Sequence, residues 1–267
     1  MTILEAIVLG AIQGITEFLP VSSSGHLVLL QRIFGISGPV LLFDTMLHVG
    51  TLAAVVVVLR RDIGALLRRI AQPLTGFLIL GTIPAVIAAL ILKDKITAAF
   101  ESGEYLGFAF LVTALALLAA EALSRRSGVT RPGEAMSPLD AVIIGICQAV
   151  AIIPGVSRSG LTLSGALSRK LDRDFAARFS FLLSIPAIAG ALVLQLLELR
   201  GQNGLPEETV EAGALIAGTA AAALVGFFAV QIMLQIVRKH SLWGFAVYTA
   251  ALGAVILADR YLTGVFF

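Results

Sequence analysis

The sequence predicts an all-α polytopic membrane protein with an inverted-topology repeat, each half made of one re-entrant helical hairpin and three transmembrane helices. Three observations predict it. Of the 267 residues, 58% are hydrophobic and 13% charged, about half the charge of a soluble domain, and the mean hydropathy is +0.98. Two of the apolar regions are broken in the middle by a Pro, Gly and Ser cluster. Those two regions also align with one another. The composition excludes a water-soluble enzyme, a disordered chain and a nucleic-acid-binding domain. The net charge of +2 reflects loop topology rather than an affinity for polyanions.

The first apolar region, around 3–31, is interrupted at Pro20-Val21-Ser22-Ser23-Ser24-Gly25. No basic residue precedes Arg32, so the charged start of a signal peptide is missing and no cleavable targeting segment is expected. Spans of the length a bilayer requires follow at 43–59, 74–92 and 104–123. The second interrupted region, around 140–168, breaks at Pro154-Gly155-Val156-Ser157-Arg158-Ser159-Gly160. Three further spans are expected at 175–197, 212–237 and 242–262. Either arm of a broken region is too short to cross alone. Non-helical backbone at membrane depth is tolerated only around a polar cavity, so each broken region reads as two half-helices meeting inside the membrane. Cys147, the single cysteine, sits in an apolar run and reads as an inert buried thiol.

Loop charges orient the chain. Arg60, Arg61, Arg68, Arg69, Arg125, Arg126, Arg131, Arg169, Lys170, Arg173, Arg178, Arg238 and Lys239 all fall in segments that an alternating path puts on one side. The opposite link, Glu198 to Glu211, holds one Arg and four Glu. The basic side is therefore expected in the cytoplasm and both termini outside.

An offset of 135 aligns AIVLGAIQGITEFLPVSSSGHL at 6–27 with AVIIGICQAVAIIPGVSRSGLT at 141–162 without a gap. Gly10 faces Gly145, Gln13 faces Gln148, and both copies carry V-S-x-S-G. The chain reads as one membrane domain, 1–267, with repeat halves at 1–125 and 136–267. A re-entrant pair returns to its own side while three spans cross, so the second copy is inverted. Inverted repeats place their ligand where the broken helices meet.

The second arm of each broken region begins with Ser, a favoured N-cap, and a helix N-terminus offers N–H donors and partial positive charge. Gly25 and Gly160 permit close backbone approach. Two such termini facing one another make an anion site, for phosphate above all, to which Arg158 adds a planar fork. Ser22, Ser24, Ser157, Ser159 and Thr162 are candidate phosphate donors. Gln13 and Glu17 share one helix face; a carboxylate there could hold a divalent metal, act as a base, or neutralise Arg158. His26 lies three residues after Ser23 and four after Ser22, where an imidazole could activate a hydroxyl or simply pack. The second copy has Leu161 for His26 and Arg158 for Ser23, so the loops have diverged into a Ser/His loop and an Arg loop, which suits catalysis more than symmetric binding. Asp44 and His48 could line the mouth of the site. Gln148, Gln195, Gln231, Gln235 and Glu121 read as interhelical hydrogen-bonders, and Trp243 and Tyr261 as interfacial anchors.

QGITEFLPVSSSGHL at 13–27 and PGVSRSGLT at 154–162 resemble the two signature motifs of the bacterial undecaprenyl-diphosphatase family, also called the bacitracin-resistance protein. The resemblance implies hydrolysis of undecaprenyl diphosphate to undecaprenyl phosphate and inorganic phosphate, recycling a lipid carrier of cell-wall synthesis in the plasma (inner) membrane. It implies a divalent cation, Mg2+ or Ca2+, and Glu17, Ser23, His26 and Arg158 as essential residues, with Gln13, Ser157 and Thr162 in support. Gln13 stands where some members have Glu, which leaves Glu17 as the only carboxylate in the two motifs. Either Ser23 is the nucleophile with His26 as base, or His26 activates water and the serines bind oxygens. Transport of a polyprenyl phosphate or other anion is the rival function, because broken helices in inverted repeats are transporter architecture. A homodimer is left open.

Overall fold

A computed structural model of the protein describes residues 1–36, 40–127, 130–201 and 210–266. Most of the acidic link between Glu198 and Glu211, and the side chains of Arg126 and Gln195, lie outside the described residues. The described elements are helical: α1 (Ile3–Thr16), α2 (Ser23–Ile33), α3 (Leu41–Val58), α4 (Arg60–Arg68), α5 (Pro73–Ser102), α6 (Leu106–Ser127), α7 (Pro138–Val150), α8 (Arg158–Ser168), α9 (Arg173–Gly201), α10 (Ala212–Lys239) and α11 (Trp243–Ala258).

Six of them are long and apolar enough to cross a bilayer, over Leu41–Val58, Pro73–Leu92, Leu106–Arg125, Arg173–Leu194, Ala212–Lys239 and Trp243–Thr263. Each falls on an expected span, and the chain is a multi-pass membrane protein. The four remaining apolar helices are short: α1 has 14 residues, α7 has 13, and α2 and α8 have 11 each. At a 1.5 Å rise these reach only about 16–21 Å, against a hydrocarbon core of about 30 Å. Both first arms start on capping boxes that satisfy their free N–H groups: Thr2 with Glu5 for α1, and Ser137 with Asp140, behind Pro138, for α7.

One helix has no counterpart in the sequence reading. The Arg60–Arg69 segment, read only as a basic loop, forms α4. Ile63 and Leu66 pack on the main core while Arg60, Arg61 and Arg68 stay exposed. A nine-residue amphipathic turn is invisible to a criterion built on membrane-length apolar runs.

The short helices pack across the chain. α1 lies along α10, and α7 lies along α5. Both contacts are backbone on backbone: a Cβ on Gly10 would collide with the Gly218 carbonyl oxygen, and one on Gly145 would come within 2.7 Å of the Gly81 oxygen. Gln148 bonds across the second contact to the same Gly81 oxygen at 3.3 Å, the interhelical role expected for it. Gln231 instead bonds within its own helix, to the Phe227 carbonyl. Trp243 and Tyr261 are exposed, as anchors should be.

Two buried carboxylates hold the basic face. Asp140 binds Arg131 at 2.9 Å and Arg169 at 2.7 Å, and accepts from the Ser137 amide and hydroxyl, each at 2.8 Å. Glu121 joins α6 to α9 and to the start of α11 through Arg173 at 2.5 Å and the Leu242 amide at 3.2 Å. Burial alone would raise the Asp140 carboxyl, but the Arg131, Arg169 and Ser137 hydrogen bonds more than offset it and hold the group well below the usual carboxylate range. Its stabilisation is therefore complete above the unfolded value of about 3.9 and is lost only as pH falls toward the lowered one. Asp140→Asn is expected to cost about 2 kcal/mol at neutral pH, seen as a lower melting temperature in detergent. The figure is modest because both arginines are about one-third exposed.

Candidate active site

The two interrupted segments meet. Glu17 is the C-cap of α1, and Arg158 is the first residue of α8. They form an ion pair at 2.5 Å, with Glu17 6% and Arg158 15% exposed. Backbone and serines tie the segments together nearby: Ser159 Oγ donates to the Leu19 carbonyl at 2.9 Å, and the Gly155 amide donates to Ser24 Oγ at 3.2 Å. An isolated guanidinium at this depth would be costly; here it is matched by a carboxylate from the other segment.

Both second arms start as the sequence reading expects. Ser22 caps α2 by accepting from the Gly25 amide at 3.2 Å, and Ser157 caps α8 by accepting from the Gly160 amide at 3.0 Å. The backbones differ. Ser157 is extended at φ −74°, whereas Ser22 has φ 73° and ψ 97°, a region that non-glycine residues seldom enter.

Glu17 organises the polar wall. Its Oε1 faces Arg158, while Oε2 accepts from Ser23 Oγ at 2.6 Å and from Gln13 Nε2 at 3.0 Å. His48 Nδ1 lies 3.4 Å from Oε2 and 3.0 Å from Gln13 Nε2. The Gln13 amide nitrogen thus stands between the Glu17 carboxylate and the His48 ring. Gln13 Oε1 is left buried without a hydrogen-bond partner.

A cavity of about 240 Å³ opens on this wall. Glu17, Ser23, Ser24, His48, Ser157 and Arg158 supply its polar side; Ala187, Ile188, Ala191 and Leu192 of α9 supply an apolar one. Such a cavity suits a charged head carried on an apolar body.

Of the residues singled out from the sequence, Glu17, Ser23, Ser24, Ser157 and Arg158 come together at the cavity, and Gln13 stands directly behind Glu17. Ser22, Ser159, Gly160 and Thr162 face elsewhere. Ser22 and Gly160 make the cap bonds, Ser159 ties the segments, and Thr162 donates to the Arg158 carbonyl at 2.8 Å and meets Ser180 Oγ at 2.6 Å. The His26–Ser23 contact expected from spacing is not made: His26 Nδ1 lies 2.6 Å from the Ser22 carbonyl and Nε2 lies 2.7 Å from the Tyr248 hydroxyl. Asp44 accepts from Gln31 at 2.8 Å instead of lining the cavity. His48, read as a mouth residue, sits on Glu17 itself. Tyr248, and Thr113, whose hydroxyl accepts from the Ser157 amide at 3.0 Å, were not anticipated; no motif or spacing links them to the loops they support.

For a divalent cation the donor set is thin but chemically apt. Among the described residues no three His, Cys, Asp or Glu side chains gather as a cage. Mg2+, however, keeps several waters and needs only one or two carboxylates beside substrate phosphates. Glu17 meets that need, and the unpartnered Gln13 Oε1 is a further oxygen of the right hardness.

Comparison with known proteins places the chain among relatives. The family model described as bacitracin resistance protein BacA matches residues 6–255. A protein of Carboxydothermus hydrogenoformans named undecaprenyl-diphosphatase is 46% identical, covering 96% of this chain and 97% of its own. Undecaprenyl-diphosphatase 4 of Bacillus thuringiensis subsp. konkukian is 44% identical over 98% of both chains. An undecaprenyl-diphosphatase of Methanosphaera stadtmanae is 37% identical over 96% of this chain and 98% of its own. With essentially full-length matches on every side, the chain belongs to the bacitracin resistance protein BacA family.

Proposed function

We propose that the protein hydrolyses undecaprenyl diphosphate to undecaprenyl phosphate and inorganic phosphate, recycling the lipid carrier of envelope polymers and thereby conferring bacitracin resistance. The observation that carries the reading is the contact of Ser23, Glu17 and Arg158 at one cavity wall, opposite an apolar wall of α9. A phosphate carrier needs the cation and the cap donors, but it has no use for a hydroxyl hydrogen-bonded to a carboxylate.

Ser23 Oγ attacks the terminal phosphorus while its proton passes to Glu17 Oε2, 2.6 Å away. The Oγ–P bond forms, the anhydride P–O bond breaks, and the electron pair leaves on undecaprenyl phosphate. Water then attacks the phosphoserine, giving up a proton as phosphate departs and the Ser23 hydroxyl is restored. Arg158 and the N-termini of α2 and α8 stabilise the charge spread over the phosphoryl oxygens, which is most of what this chemistry asks of a protein. Glu17 and the Gln13 amide oxygen are where this chain would hold Mg2+ or Ca2+. When bound, the cation supplies further neutralisation of the diphosphate.

The basic links support a topology with α4 and the Asp140 and Glu121 clusters on the cytoplasmic side of the plasma membrane and both termini outside. The exchanged packing of α1 on α10 and α7 on α5 supports an inverted repeat with halves 1–125 and 136–267, and the shortness of the four arms supports re-entrant pairs. All residues of the constellation come from one chain, so a homodimer is not needed to complete the site.

The test is phosphate release from undecaprenyl and farnesyl diphosphate by purified protein in detergent, with Mg2+ and with a chelator. Release that the chelator abolishes is expected. Ser23→Ala should lower it by about 10³-fold, with the melting temperature unchanged. Full activity in that variant would make water the nucleophile. No release from folded wild type would favour transport, tested by phosphate-lipid flux in liposomes.

A further inference from the structure

We propose that His26 is a positioning residue rather than the proton acceptor of this site, and that Tyr248 holds it in place: together they clamp the Ser22 carbonyl and set the strained turn that delivers Ser23 to Glu17. The proposal rests on the diphosphatase reading of the site and assigns Tyr248 a part in it.

The hydrogen-bond chemistry leaves His26 little choice. A carbonyl oxygen can only accept, so at 2.6 Å from the Ser22 oxygen Nδ1 must carry the proton. In the neutral ring Nε2 is then an acceptor, and the Tyr248 hydroxyl donates to it at 2.7 Å. Both ring nitrogens are committed. Ser23 meanwhile gives its own proton to Glu17 Oε2, so no hydrogen bond joins Ser23 to the imidazole. The ring cannot easily turn. It is 7% exposed, stacked on Tyr248 at 5.7 Å and met edge-on by Phe110 at 5.5 Å.

The clamp sits where the backbone needs it. Ser22 is the residue before Ser23, and its φ of 73° is sustained only if its surroundings over-determine it. Its carbonyl has only a long helical bond, 3.3 Å from the His26 amide, and the imidazole supplies the short one. The second loop is the internal control. Ser157 makes the same cap bond to Gly160, but Leu161 stands in the place of His26 and the Ser157 backbone is relaxed at φ −74°. The imidazole and the strained cap occur together in one loop and are absent together from the other.

The discriminating substitution is His26→Asn. The amide nitrogen of Asn can take the position of Nδ1 and donate to the Ser22 carbonyl, yet it cannot accept a proton as a base. In phosphate release from undecaprenyl diphosphate, His26→Asn is expected to keep kcat within about tenfold of wild type, while His26→Ala loses about 100-fold, because misplacement of a reacting group alone costs this much. Tyr248→Phe should lower kcat by about 3- to 10-fold, with KM and the pH–rate profile unmoved. A second readout needs no turnover. The chain has three histidines, so 15N-histidine labelling, with His26 assigned by its loss in His26→Asn, reads the tautomer directly. The Nδ1–H form should persist across the active pH range, and the Nε2 resonance should shift in Tyr248→Phe. Folded His26→Asn as inactive as His26→Ala, an Nε2–H tautomer, or a His26 that titrates in step with the rate would overturn the proposal. A folded wild type that releases no phosphate sinks the diphosphatase reading instead, and the tautomer still decides whether the clamp exists.

Discussion

Glu17→Gln is expected to remove phosphate release and to loosen the fold together. The substitution keeps the shape of the side chain but takes away the charge that three neighbours use. Ser23 loses a proton acceptor, and removal of a general base costs about 10²–10⁴-fold. Loss of the carboxylate that would hold the cation brings turnover to background. Arg158, with 15% of its side chain exposed, is left as a buried cation facing an amide. Breaking a dry buried pair costs about 3–5 kcal/mol; because the cavity lets water reach this guanidinium, about 2 kcal/mol is expected here. The two effects separate in a cycle. Glu17→Gln combined with Arg158→Met should melt at a higher temperature than Glu17→Gln alone, since the uncompensated charge is gone, and should remain inactive. If Glu17→Gln hydrolyses undecaprenyl diphosphate at near-normal rate, the carboxylate has no part in the chemistry.

Gly10→Ala is expected to do comparable damage from a residue that touches no substrate. The added methyl would collide with the Gly218 carbonyl oxygen, and neither partner is a side chain that can rotate away. α1 must move off α10 or the contact must fail. Overpacking of this kind costs about 1–3 kcal/mol or more, so the variant should give a low yield of monodisperse protein. Whatever folds should be about 100-fold slower, because α1 carries Gln13 and Glu17 and a shift of about 1 Å at the chemistry costs that much. Gly145→Ala, against the Gly81 carbonyl, should destabilise in the same way. A normal melting temperature for both would mean that the helices pack less closely than described.

Much of this arrangement is legible in one dimension because a bilayer imposes it. Membrane-length apolar runs could only be spans, and two runs broken by Pro, Ser and Gly could only be shielded by the rest of the protein. The pairing of Glu17 with Arg158 follows from the same physics: each is too costly to bury alone. What was not legible depends on helices meeting in three dimensions. His48 is 31 residues from Glu17 and Tyr248 is 222 from His26, and neither lies in a motif. The absence of the Ser23–His26 contact expected from spacing has a specific cause. A spacing of three or four residues puts Ser23, Ser22 and His26 on one helix face, but helical side chains lean toward the N-terminus. At the first turn that direction leads the imidazole to the Ser22 carbonyl, which the positive φ of Ser22 leaves poorly bonded. Thr162 bonds the Arg158 carbonyl one turn behind it for the same reason.

The packing of α1 on α10 has a consequence for how the protein is made. α1 ends at Thr16 and α10 begins at Ala212, so at a synthesis rate of about 5–20 residues per second the partner emerges about 10–40 s later. During that interval the N-terminal arm is too short to span and has no helix to lie against, and until Arg158 is made Glu17 has no arginine either. It must wait at the lipid surface, or in the care of the insertion machinery, until α10 arrives. Glu17 is thus synthesised well before the helix that its arm packs against.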